Sequence, residues 1–200
     1  MAKQALLPNK LVSIAGLILC LFDCQQSTPK TVAIPGVFVS VDQSGWQKTE
    51  GNLWLTDTLF SGWQYQLWPT GDTAFVCGFN QGKAEGLHRQ WYPNHRPKES
   101  RHYRKGWQEG EQRGWFPSGR QAFIYHFQND VYEGNVNEWY SNGRPARTSD
   151  YHEGHENGLQ RLWYADGSLK ANYVARNGRN YGFTGVKNCV NVWDSLIVSH

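Results

Sequence analysis

The sequence predicts an all-β protein, built as an elongated antiparallel meander of stacked β-hairpins. Three observations support this fold class: a repeat of 24 residues, glycine-bearing turn signals within each unit, and an excess of aromatic over aliphatic side chains. The 200 residues include ten Trp, ten Tyr, nine Phe and 21 Gly, but one Met. Between Gly62 and Gly182 only residues 120–133 run beyond ten positions without Gly or Pro, which disfavours helices.

The repeat is marked first by a glycine that returns every 24 residues. It stands at Gly62, Gly86, Gly110, Gly134, Gly158 and Gly182. Five positions later come Trp91, Trp115, Trp139 and Trp163, with Leu67 in the first unit. The next position is aromatic in every unit: Trp68, Tyr92, Phe116, Tyr140 and Tyr164. Five units of this kind indicate a repeat protein.

Each unit carries two turn signals separated by stretches of seven to eight residues, which predicts one β-hairpin per unit. Ser118-Gly119 is typical of the first signal and Lys105-Gly106 of the second. His95 and Asp130 replace the turn glycine in two places. Both residue types tolerate a positive φ, so the turn geometry is expected to survive there. With so few aliphatic side chains, we expect aromatic columns to form the core.

The two ends of the array differ from its middle, as repeat arrays require to cover their exposed edges. We assign residues 25–50 to an N-terminal linker and capping strand, and residues 51–182 to about five repeats. Residues 183–200 begin a sixth unit and abandon it, which predicts a C-terminal cap.

Residues 1–24 have the profile of a signal peptide, with Lys3 and Lys10 before an apolar run at 11–22. That run is shorter than the roughly 20 residues of a membrane-spanning helix, so export is favoured over a permanent span. Leu21-Phe22-Asp23-Cys24 resembles a bacterial lipobox, although Asp23 departs from its small residue. The resemblance implies lipid attachment at Cys24 and an exported, envelope-located protein anchored to membrane lipid by N-terminal acylation.

The unit G-x4-W-[YF]-x2-G-x7-[YF]-x2-G-x3 resembles the MORN repeat, in the divergent bacterial variant of proteins labelled as YwqK-type antitoxins. The resemblance covers Gly51 to Gly182. It implies a single sheet of stacked hairpins that serves as a protein-interaction scaffold or, in some members, as a phospholipid binder. An antitoxin or immunity role is a further implication of the label.

Candidate partner-binding residues are the four tryptophans Trp91, Trp115, Trp139 and Trp163. Neighbouring residues of a strand point to opposite faces, so each Trp and the ring that follows it lie on different sides of the sheet. Arg89, Arg113 and Arg161 stand two positions before a Trp and share its face. They either form a ridge for an anionic ligand or stack over the indoles by cation–π contact, the interpretation we favour.

The functional expectation is therefore a non-enzymatic scaffold that binds an unidentified protein partner, with anionic lipid head groups or glycans as the alternative ligand. An enzyme in the irregular ends, 27–59 and 183–200, is a third hypothesis. No cofactor is expected.

The stretch His152-Glu153-Gly154-His155-Glu156 lacks the spacing of a helical zinc motif and predicts a solvated turn. Nucleic acid is disfavoured as a ligand because acidic residues are interspersed with the basic ones in the same repeats, which leaves a net charge of only +3. Cys77 and Cys189 could form one disulfide.

Overall fold

The computed structural model describes residues 32–185 of the chain. All regular structure in this range is β-strand, so the all-β prediction is confirmed. The signal segment, Cys24, Cys189 and nearly all of the predicted C-terminal cap lie outside the described residues.

The strands fall into a set that precedes the regular repeats and a set that forms them. The first set comprises β1 (Phe38–Ser40), β2 (Trp46–Thr49), β3 (Asn52–Leu55) and β4 (Thr58–Leu59). The second set comprises β5 (Gly62–Leu67), β6 (Thr73–Asn80), β7 (Lys83–Ala84), β8 (Gly86–Trp91), β9 (Pro97–Arg104), β10 (Trp107–Gln108), β11 (Gly110–Trp115), β12 (Gln121–Gln128), β13 (Val131–Tyr132), β14 (Gly134–Trp139), β15 (Pro145–His152), β16 (His155–Trp163), β17 (Leu169–Arg176) and β18 (Arg179–Phe183).

The repeat strands form one long sheet in the order β1-β5-β6-β8-β9-β11-β12-β14-β15-β16-β17-β18, with the short β7, β10 and β13 paired at its margin. From β5 onward every pairing is antiparallel, as a meander requires. The first pairing departs from the prediction, because β1 runs parallel to β5. β2, β3 and β4 make a separate small sheet. Its neighbour Phe60 contacts Trp46 edge to face at 4.8 Å between ring centroids, and Phe79 of the long sheet at 6.2 Å.

Within a repeat the two long strands pair over their full length, whereas neighbouring repeats share a shorter pairing, except at β15 and β16, which pair at five positions. β8 and β9 are in register from Gly86 opposite Tyr103 to Trp91 opposite Pro97. Between β9 and β11 only two positions pair, Arg113 with Ser100 and Gly114 with Glu99. The hairpin is therefore the structural unit, and hairpins are joined by contacts other than an extensive strand ladder.

The two turn types have the expected backbone geometry. In the turn after β9, Lys105 and Gly106 have φ of 53° and 91°, the two positive values of a type I′ hairpin turn. In the turn after β11, the Gly119 N–H donates to the Phe116 carbonyl at 2.8 Å and Gly119 has φ 88°. His95 and Asp130 have φ of 62° and 65°, which confirms that these substitutes keep the left-handed conformation.

The glycine that opens each unit has a different role from the turn glycines. At Gly110 and Gly134 the φ values are 69° and 84°, and an added Cβ would meet nothing within 4 Å at either position. At these two positions the constraint is therefore the backbone angle, whereas at Gly62 and Gly182 an added Cβ would also lie 2.6 and 2.7 Å from a backbone carbonyl oxygen. At this point the chain leaves a short strand paired to the preceding hairpin and bends into the next one, which accounts for the strict 24-residue spacing.

The core lies on one face of the sheet, the ladder face, defined by rings that interleave across strands. One run of contacts joins Phe79, His88 and Tyr103, with ring centroids 5.6 and 4.5 Å apart. A second run joins Phe127, Tyr132 and Tyr151, with centroids 4.6 and 5.2 Å apart. The prediction of an aromatic core is confirmed. The rings do not stack directly from repeat to repeat, because a ring from the intervening strand separates them.

A column of residues that the sequence pattern does not reveal lies beside these rings. We call it the core column, and it comprises His88, Gln112, Val136 and Gln160. Gln112, Val136 and Gln160 are fully buried. Gln112 Oε1 accepts the His102 N–H at 2.9 Å, and its Nε2 donates to the His102 carbonyl at 3.1 Å. The side chain thus bridges the gap where β9 and β11 diverge, and it satisfies backbone groups that the short inter-repeat pairing leaves open.

Both margins of the sheet add hydrogen bonds between repeats. Next to the type I′ turns, the carboxylates of Glu85, Glu109 and Glu133 accept backbone N–H groups of the following repeat, from Lys105 at 2.8 Å, Asn129 at 3.1 Å and Glu153 at 2.8 Å. At the other margin the guanidinium groups of Arg96, Arg120 and Arg144 donate to carbonyls of the next turn. This arginine column is therefore structural.

Replacement of the buried glutamine by Gln112→Ala should lower the free energy of unfolding by about 2 kcal/mol, because the His102 N–H loses its acceptor and the His102 carbonyl keeps only the Glu109 N–H as donor. Urea unfolding of the full chain measures this. Gln66→Ala, at an exposed position of β5, is the matched control and should stay within about 0.5 kcal/mol of the wild type. Equal effects of the two substitutions would contradict a bridging role for Gln112.

The buried imidazole of the core column predicts a dependence of stability on pH. Burial lowers the pKa of His88, although its ring nitrogen contacts the Gly78 carbonyl at 2.8 Å. The unfolded chain therefore takes up this proton first, and stability should fall as pH drops through the unfolded pKa of about 6.5.

His88→Gln introduces the residue that stands at the equivalent position 112, so the fold should be retained. We expect its melting temperature to fall less between neutral pH and mildly acidic pH than that of the wild type. His95→Asn, at an exposed turn, should keep the wild-type dependence on pH. A His88→Gln profile that overlays the wild type would show that His88 is not the responsible group.

Candidate functional site

The predicted binding residues lie on the face opposite the ladder face, which we call the tryptophan face. Register assigns the faces: Arg113 is opposite Ile124, whereas the neighbouring Gln112 is opposite Tyr125 of the ladder face. The residues of interest on the tryptophan face are Trp91, Trp115, Trp139 and Trp163 together with Arg89, Arg113 and Arg161. The 24-residue period places the four indoles at the same end of equivalent strands, beside the turns of the kind that follows β11.

The four indoles are half-buried and do not take part in the aromatic core. The ring contacts found within residues 32–185 involve Trp46 and Trp63 but none of these four. Over the same range their Nε1–H groups donate to no protein acceptor. Each indole thus offers an apolar surface and an unused hydrogen-bond donor, the combination common at recognition surfaces.

The arginines of the tryptophan face do not stack on the indoles, so that expectation is wrong. Arg113 Nε donates to Glu111 Oε1 at 2.6 Å, and this bond lowers the pKa of the Glu111 carboxyl. Arg161 Nε contacts Asn172 Oδ1 at 3.4 Å. Arginine–ring contacts occur instead on the ladder face, where Arg101 lies 5.6 Å from the Phe123 centroid and Arg147 lies 5.3 Å from that of Tyr151.

Arg89 and Arg113 are both exposed, but Arg89 differs because it forms no ion pair with any carboxylate of the described range. It borders a groove of about 350 Å³ between Trp91 and Trp115, the Trp91–Trp115 groove, which is also lined by Pro97 and Ser100. A second groove of about 350 Å³ lies on the other side of Trp91 and is lined by Asp72, Thr73, Val76 and His95. Trp91 therefore lines both grooves and separates them.

The histidine and glutamate cluster at 152–156 does not assemble a metal centre. His152 Nδ1 lies 2.9 Å from Glu133 Oε1, and Glu133 also receives the Glu153 N–H, which with His152 lowers the pKa of its carboxyl. Across residues 32–185 no group of three His, Cys, Asp or Glu side chains is arranged to hold a metal ion. Nor does this part of the chain contain a helix long and apolar enough to cross a bilayer.

The sequence analysis missed two columns of residues that position the tryptophan face, a column of glutamates and the core column. The glutamates Glu85, Glu109 and Glu133 each precede the unit glycine and recur every 24 residues, so the period itself could have revealed them. They entered the sequence argument only as negative charges. The core column is harder to find, since its members are His, Gln, Val and Gln, types that share no chemistry beyond the ability to fill one buried space.

No protein-family model matches the chain, and no curated protein matches it.

Proposed function

We propose that the protein is an exported, lipid-anchored repeat scaffold of the MORN type, which binds a protein partner through the tryptophan face and performs no catalysis itself. The observation that carries this proposal is that the two faces of the sheet differ in how their aromatic side chains pack. The aromatic ladder and the core column hold the hairpins together on one side, while the four indoles on the other side have no packing partner among the rings of residues 32–185.

The chemistry of the tryptophan face supports recognition by a protein. Trp and Arg are the side chains that contribute most to protein–protein affinity, because each combines a large contact area with a specific polar group. Here they recur at equivalent positions of successive hairpins, so a partner can contact several repeats at once. Two grooves flanking Trp91 add concave surface where a side chain of the partner can insert.

The one cysteine of the described range lies away from this surface. Cys77 is on the ladder face, opposite Gln64, and burial raises the pKa of its thiol to about 12. The thiol is thus protonated at neutral pH and is a poor nucleophile. This supports a binding role over a cysteine-based reaction.

A second candidate is a binder of anionic lipid head groups or acidic glycans at the cell envelope. Arg89 and Arg161 support it, because neither forms an ion pair with a carboxylate of residues 32–185. An immunity role against an incoming toxin is the antitoxin-like form of the first candidate.

Removal of two indoles by Trp115→Leu with Trp139→Leu should abolish capture of the protein partner while leaving the melting temperature close to that of the wild type. Leucine occupies this position naturally at Leu67, so the substitution is compatible with the repeat. The assay is crosslinking and affinity capture from native host extract with the tagged full chain, with liposome flotation on the same preparation.

Trp107→Leu is the matched control, since Trp107 is 53% exposed and lies beside the Lys105-Gly106 turn, at the other end of the strands. It should leave capture unchanged. Collapse of the fold in the double variant would show that the indoles are core residues. Flotation with anionic liposomes and no captured protein would favour the lipid-binding candidate instead.

A further inference from the structure

The spacing of the grooves on the tryptophan face constrains the shape of what binds there. Equivalent strands of successive hairpins, such as β8 and β11, are separated by two strand steps. At about 4.8 Å per step, successive indoles repeat at about 9.6 Å across the strands. A polyproline II helix rises about 3.1 Å per residue, so every third residue returns to the same side after about 9.3 Å. The two periods agree closely.

The polar groups of the face fit a ligand in this conformation. A polyproline II segment makes no internal hydrogen bonds, so its carbonyl groups need donors from outside. Trp91 and Trp115 line the Trp91–Trp115 groove, and their Nε1–H groups donate to no acceptor in residues 32–185. Aromatic-lined grooves with such donors are a recurring way to bind proline-rich segments.

The charged side chains at the groove determine which sign of charge the ligand should carry. Arg89 lines it and has no carboxylate partner within the described residues, whereas Glu99, the carboxylate in the lining, is bonded to Arg101 Nε at 2.8 Å. The neighbouring groove contains Asp72, which accepts a hydrogen bond from the Thr70 hydroxyl at 2.7 Å and lies 3.5 Å from His95. The uncompensated charge in the Trp91–Trp115 groove is therefore the positive charge of Arg89, whereas the neighbouring groove carries the negative charge of Asp72.

We propose that the two grooves flanking Trp91 hold an acidic, proline-rich segment of the protein partner, in the polyproline II conformation and crossing the strands. This inference rests on the proposed function and specifies the chemistry of the partner. Prolines three apart in the segment enter successive grooves on either side of Trp91, so the groove lined by Asp72 receives an uncharged ring. A carboxylate next to the proline in the Trp91–Trp115 groove pairs with Arg89 at the border of that groove, and carbonyls of the segment accept from the indole Nε1–H groups.

The test measures tryptophan fluorescence of the full chain during titration with three synthetic peptides. One consists of four Pro-Pro-Glu triplets, the second of four Gly-Ser-Glu triplets, and the third of four Pro-Pro-Lys triplets. The first should bind at least tenfold more tightly than either of the others. The second keeps the charge but loses the stiff conformation, whereas the third keeps the conformation but reverses the charge.

Two variants locate the binding site, and one serves as control. Trp91→Leu and Arg89→Gln should each weaken binding of the Pro-Pro-Glu peptide at least fivefold, and Trp107→Leu should not change it. Arg89 is exposed, so Arg89→Gln stays informative even if Trp91→Leu destabilises the chain.

Equal affinity for the three peptides, or binding unaffected by both Trp91→Leu and Arg89→Gln, would overturn the inference. Preferential binding of a uronic-acid oligosaccharide in the same assay would also overturn it. If partner capture from extract depends on Trp115 and Trp139 but the Pro-Pro-Glu peptide does not bind, the inference alone fails. If capture is insensitive to those tryptophans, the proposed function fails as well.

Discussion

The short pairing between neighbouring hairpins is the constraint on which the rest of the structure depends. Hairpins such as β8–β9 and β11–β12 meet at two paired positions between β9 and β11, and the short β10 adds two more with β9. Main-chain hydrogen bonds of that number cannot by themselves hold successive units in a fixed register. The repeat compensates with three sets of side chains: interleaved rings on the ladder face, the buried core column, and glutamates that accept backbone N–H groups at the turns.

These stabilising groups are unevenly distributed over the two faces, and the functional proposal follows from that imbalance. The interleaved rings of the repeats, including Phe127, Tyr132 and Tyr151, lie on the ladder face. The glutamates and the arginines Arg96, Arg120 and Arg144 occupy the two margins. The four indoles of the tryptophan face have no comparable ring partner in the described range, and this is the observation on which the proposed binding role rests.

The sequence predicts the architecture well because period and turn chemistry are local properties. The glycines, together with His95 and Asp130, predict the turns, and the structure confirms their positive φ values. The parallel pairing of β1 with β5 could not be foreseen, since it depends on where a segment outside the repeat docks. The arginine contacts were also missed: Arg113 has both an indole and Glu111 within reach on its own strand, and the geometry favours the carboxylate at 2.6 Å.

The division between the two faces is tested most directly by comparing two aromatic residues of the same region. Phe127→Leu removes a ring of the ladder face, and Trp139→Leu removes one of the tryptophan face. Urea unfolding of the full chain should show that Phe127→Leu lowers the free energy of unfolding by at least about 1 kcal/mol more than Trp139→Leu does, because only Phe127 loses ring contacts. A larger loss for Trp139→Leu would contradict the account and make the tryptophan column the core of the protein.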